Sequence, residues 1–148
     1  MKTKIFSFFL IVFTVSVFSN SFAQTSNNEY TDWNTSLKNY AGIYQYWTEN
    51  QMGSGNKIYF YVIFTYKNDS LQIAMMDQQA GVIQNVTIQS ISGNTVKTNL
   101  FTGKFIIGIS GDKGFYVTEG SYNGYFYDKT NSNGAKNRIR QIKAISKQ

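Results

Sequence analysis

The stretch KIYFYVIFTYK, from Lys57 to Lys67, sets nine apolar, aromatic or β-branched residues between two lysines. Such side chains suit the pleated surface of a sheet, and along a strand they point alternately to its two faces. Here both alternating sets are apolar: Phe60, Val62, Phe64 and Tyr66 on one side, Tyr59, Tyr61 and Ile63 on the other. A strand of this kind must be covered on both faces or present its outer face to a partner.

Outward from this stretch the same residue types recur in short segments. Ala41–Trp47, Ser70–Met76, Val82–Ser90, Thr95–Phe101, Lys104–Ser110, Phe115–Glu119, Gly124–Tyr127 and Arg138–Ser146 all read as strands. Turn formers separate them: Met52-Gly53-Ser54-Gly55-Asn56, Lys67-Asn68-Asp69, Ser92-Gly93-Asn94, Gly111-Asp112-Lys113-Gly114 and Asn131-Ser132-Asn133-Gly134. Gly and Asn supply the positive φ angles that tight hairpins need. Connections this short leave no room for helical crossovers, so the sheet is antiparallel. Before the first strand, Trp33, Leu37 and Tyr40 are spaced as one face of a short helix, with Thr31 or Asp32 as its N-cap. The expected fold is all-β: a single up-and-down barrel of about 8–9 strands with a short N-terminal helix, or else a β-sandwich. Closure into a barrel is favoured because it removes exposed strand edges.

The first residues read differently. Lys2 and Lys4 precede an apolar run from Ile5 to Phe18, and small and polar residues then lead to Ala23. This is the pattern of a secretory signal peptide over residues 1–23, and the run is too short for a membrane-spanning helix. Cleavage after Ala23 leaves 125 residues with a side-chain charge of +4. Residues 24–30 form a polar, patternless lead-in, and 31–148 form one domain. The expected location is periplasmic or extracellular, with no transmembrane helix after cleavage.

Composition excludes whole classes of chemistry. The chain has no Cys, His or Pro. It therefore has no disulfide, thiolate nucleophile, zinc–thiolate site or lipidated Cys, and it is not a lipoprotein. The commonest general base and transition-metal ligand is also missing. The carboxylates Glu49, Asp69, Asp77, Asp112 and Asp128 fall mostly at turns, and Glu119 reads as a strand end reaching solvent. Gly111–Gly114 and Asp128–Asn131 lack the acidic density of a calcium loop and read as hairpin turns. No catalytic residue, metal or cofactor is expected. Lys136, Arg138, Arg140, Lys143 and Lys147 read as an outer strand kept soluble by charge, and nucleic acid is not an expected partner.

The segment SLKNYAGIYQYW (residues 36–47), in which a short helix leads into Gly-x-aromatic, resembles the opening of lipocalin-like (calycin) barrels. In that family a Trp closes one end of the barrel beneath an Arg from the last strand. The resemblance implies that Gly42 matches the glycine, that Tyr44 replaces the Trp, and that Arg138 or Arg140 is the covering cation. These are structural roles. The family's C-terminal helix has no counterpart in this reading.

Aromatic residues carry the functional expectation. A barrel lined by Tyr44, Tyr46, Phe60, Phe64, Met75, Phe115, Tyr125 and Tyr127 would hold a small apolar or amphipathic ligand. The alternative is a module that binds glycan or an envelope protein through exposed aromatics. A small outer-membrane barrel is the second alternative; against it stand short strands and a polar C-terminus.

Overall fold

A computed structural model of the chain describes residues 30–50, 55–83 and 85–147. The signal segment 1–23, the lead-in up to residue 29 and the turn residues Met52, Gly53 and Ser54 lie outside the described residues. In chain order the elements are β1 (Thr31–Asp32), α1 (Leu37–Tyr40), β2 (Gly42–Glu49), β3 (Lys57–Lys67), β4 (Ser70–Asp77) and β5 (Gly81–Ile83). They continue with β6 (Ile88–Ser92), β7 (Thr95–Thr98), β8 (Phe101–Ile107), β9 (Lys113–Gly120), β10 (Phe126–Thr130) and α2 (Asn133–Ile145).

The strands form one antiparallel sheet in the order β5-β4-β3-β2-β10-β9-β8-β7-β6, with β1 pairing β8 off this path. The fold is therefore all-β, an up-and-down meander curled into a half-barrel. Its first long strand, β2, pairs with its last, β10, through Gln45 opposite Asp128 and Tyr44 opposite Lys129. The two sheet edges, β5 and β6, follow each other in the chain, and β6 comes against β4 across the seam.

β3 matches its expected range and is covered on both faces. Val62 and Phe64 point into the main core, while Tyr59, Tyr61 and Ile63 point outward beneath α2. The main core is aromatic. Tyr40 stacks on Phe105 at 4.0 Å, Phe64 meets Phe105 at 4.8 Å, and Phe64 meets Phe115 at 5.0 Å. Each such pair contributes about 0.5–1.5 kcal/mol beyond the area it buries.

Four local expectations are corrected. Arg138–Ser146 is not a strand but lies mostly within the helix α2, so the chain does carry a C-terminal helix. Ala135, Ile139 and Ile142 are spaced i, i+4 and i+7, and all three are buried against Tyr61 and Met76 of the outer face. Ser132 caps the helix by accepting from the Ala135 amide at 3.2 Å.

The leading helix is shorter than its spacing implies. Thr31 and Asp32 pair with Ile107 and Ile106 of β8, and only Leu37–Tyr40 is helical. A loop still brings Trp33 and Tyr40 together, with the Tyr40 hydroxyl donating to the Trp33 carbonyl at 2.8 Å.

The segment expected as one strand from Val82 to Ser90 is broken at the seam into β5 and β6. There Asn99 holds the connection: its Nδ2 donates to the Asn85 carbonyl at 2.6 Å, and its Oδ1 accepts from the Thr87 amide at 2.8 Å. Finally, Asp128-Lys129-Thr130 is not a turn but the end of β10.

Candidate functional site

The residues expected to line a barrel divide by their depth. Tyr44, Phe64, Met75, Phe115 and Tyr127 are at most 2% exposed and belong to the packed core. Tyr46 and Phe60 sit at the margin of that core, and Tyr125 is 37% exposed. The inward rings of Tyr44, Phe64 and Phe115 fill the α1 end of the barrel by touching one another.

The cation at that end is not the expected one. Arg138 and Arg140 are on α2, where Arg138 faces Tyr59 and Tyr61, and Arg140 is exposed with a bond to Asn137. The ammonium of Lys129, on the true last strand, lies 5.5 Å from the Tyr44 ring centre and 4.9 Å from that of Trp33. Gly42 makes room for it. A Cβ on Gly42 would stand 2.7 Å from Lys129 Cε, and φ there is +151°, an angle that L side chains rarely adopt.

Toward the other end of β2 the tyrosines gather. Tyr46 stacks on Tyr125 at 4.7 Å, and both rings lie within 6.5 Å of Tyr127, with Tyr122 6.2 Å from Tyr125. The Tyr127 hydroxyl is fully buried and makes no hydrogen bond. Burial first, then its phenolic neighbours and Asp77, hold that phenol protonated well above the ordinary tyrosine range.

On the rim beside this cluster is a groove of about 350 Å³ lined by Tyr46, Trp47, Gly124, Phe126 and Asp128. Strand alternation builds it. Tyr46 points in, and its neighbour Trp47 points out and is 41% exposed. The Lys57 ammonium lies 3.6 Å over the Trp47 ring and steadies it. Phe126 lies over Gly114, where any Cβ would run into its ring, and is stacked by Tyr30 at 5.4 Å. Gln45, opposite Asp128 in the ladder, has a buried Oε1 with no hydrogen-bond partner. Partial burial, then Asp112, raises the Asp128 carboxyl above its ordinary pKa. The groove therefore combines flat aromatic walls with a carboxylate acceptor.

Compared with known protein families, characterised proteins and solved structures, the chain matches none. Among the described residues no group of three or more Asp, Glu, His or Cys could hold a metal ion, and no helix is long and apolar enough to cross a membrane.

Trp47, Phe126 and Asp128 are not among the site residues expected from the sequence. The signal that marks them is the phase of β2 and β10: with Tyr44, Tyr46 and Tyr127 inward, their chain neighbours face out.

Proposed function

We propose that this is an exported, non-catalytic binding protein whose site is the groove between Trp47 and Phe126, and that its ligand is a sugar ring of a glycan. The observation that carries this reading is the groove itself, with the exposed Trp47 and the half-buried Phe126 as aromatic walls beside the Asp128 carboxylate. Aromatic faces suit the apolar side of a pyranose, while the Asp128 carboxylate accepts from its hydroxyls. The outer face also carries Lys104, Gln45 and Asp128, with α2 over part of it, rather than the continuous apolar band of a membrane barrel. A relationship to lipocalin-like barrels belongs to the same proposal. Gly42, Tyr44, the covering Lys129 and the C-terminal helix support it.

The test is titration of the purified protein with cellohexaose, xylohexaose and maltohexaose, read by calorimetry and tryptophan fluorescence. Saturable binding of one of them, abolished by Trp47→Ala and retained in Trp33→Phe, is the expected result. Absence of binding to all of them would sink the glycan reading.

One observation favours a second reading, a small amphipathic ligand entering at the tyrosine cluster: the buried, unpartnered Tyr127 hydroxyl. Anilinonaphthalene sulfonate is its probe. Fluorescence enhancement lost in Tyr125→Ala but kept in Trp47→Ala would assign binding to the cluster instead.

A further inference from the structure

At the α1 end of the barrel a separate cleft of about 520 Å³ is lined by residues that include Trp33, Asn39, Lys113, Lys129, Thr130 and Asn131. It holds two ammonium groups. Lys113 Nζ lies 4.8 Å and Lys129 Nζ 4.9 Å from the Trp33 ring centre. Lys129 donates to the Asn39 carbonyl at 2.7 Å, and this fixes its position. Neither lysine forms an ion pair with a carboxylate among the described residues. Burial, then the charge of Lys113, lowers the pKa of Lys129, so the cation that Lys129 feels most is another lysine.

Bringing like charges to one cleft is unfavourable unless something offsets it. The Trp33 ring offsets part, through its negative face. A divalent anion would offset more, because each ammonium would gain a charge-assisted hydrogen bond. Asn131 and Thr130 place further polar side chains on the same wall. We propose that this cleft binds a tetrahedral oxyanion, a phosphate or sulfate group, between Lys113 and Lys129. The site is independent of the Trp47 groove, and the proposal stands whether or not that groove takes a sugar.

The experiment is titration of the ¹⁵N-labelled protein with inorganic phosphate and, separately, with sulfate, acetate and chloride at constant ionic strength. The readout is the indole N–H signal of Trp33, with that of Trp47 as internal reference. Saturable movement of the Trp33 signal by phosphate or sulfate, with little response to chloride, is expected. The stronger of the two names the oxyanion. Lys113→Met, at an exposed position that leaves the core intact, should weaken binding by roughly tenfold or more, as expected for one charge-assisted bond. Lys129→Met should do the same, with thermal unfolding to confirm that it remains folded. Three results would overturn the proposal: no saturable shift, an equal shift with chloride or acetate, or a shift undiminished in Lys113→Met.

Discussion

Arg138 on α2 donates from Nε to the Tyr61 hydroxyl of β3 at 2.6 Å, and its guanidinium lies 3.8 Å from the centre of the neighbouring Tyr59 ring. One side chain thus fastens the C-terminal helix to the outer face of the sheet. Arg138→Met and Tyr61→Phe should each lower stability by about 1–3 kcal/mol. The double variant should lose less than the sum, because both remove the same bond. Urea unfolding of the four proteins in the cycle measures this, and strict additivity would show that the contact carries no energy. Arg138→Lys should recover only part of the loss, since an ammonium has neither the planar face nor the fork of the guanidinium.

Gly42→Ala should cost about 1–3 kcal/mol from its backbone angle alone, and further stability from the collision with the Lys129 chain. Adding Lys129→Ala removes the collision but not the angle. The double variant should therefore remain less stable than Lys129→Ala by itself. Chemical denaturation of the three variants separates the contributions.

Tyr44 and Tyr127 are both fully buried, yet their hydroxyls differ. Tyr44 donates to the Tyr40 carbonyl at 2.6 Å, whereas Tyr127 has no partner. Tyr44→Phe should cost about 1 kcal/mol at neutral pH. Tyr127→Phe should be neutral or stabilising by up to about 1 kcal/mol, because it removes a desolvated group that gains nothing in return. A loss on Tyr127→Phe as large as that on Tyr44→Phe would contradict the unpaired hydroxyl.

The same two phenols set the response to alkali. Burial is the main cause that raises both pKa values above that of an unfolded tyrosine, which is near 10. Below the unfolded pKa their contribution is complete. As pH climbs above it, the unfolded chain ionises first, and stability falls by up to about 1.4 kcal/mol per pH unit for each tyrosine. Urea midpoints measured from about pH 8 to 11 should fall steeply in the parent protein. They should fall less steeply when Tyr44 and Tyr127 are both replaced by Phe.

Much of the fold was legible because strands and tight turns are local signals. The Lys67–Ser70 hairpin is turned by Asn68 and Asp69, both at positive φ, and its residues name it in advance. The double-faced β3 correctly demanded a cover. The identity of that cover was obscured because Ile139, Ile142 and Ile145 are β-branched and read as strand formers. Ala135, Ile139 and Ile142 nonetheless lie on one helical face, and its burial against Tyr61 and Met76 outweighs intrinsic preference, while Ile145 stays exposed. That error displaced the covering cation too. A last strand at Arg138–Ser146 points to Arg138 or Arg140 as the covering cation, whereas the true last strand, β10, supplies Lys129. The groove was less legible, since Trp47 and Phe126 become neighbours only through the β2–β10 pairing, across most of the chain.

That pairing has a topological consequence. Among the described residues no ladder joins β5 to β6, so a cut between Ile83 and Ile88 would sever no strand pair. The pieces on either side would each be incomplete and mutually dependent: β1 rests on β8, β2 on β10, and α2 on β4 and β5. The domain is thus pre-partitioned into two interlocking fragments. Produced as separate chains, they should reassemble on mixing as a split protein, with complementation driven by the β2–β10 ladder and the docking of α2.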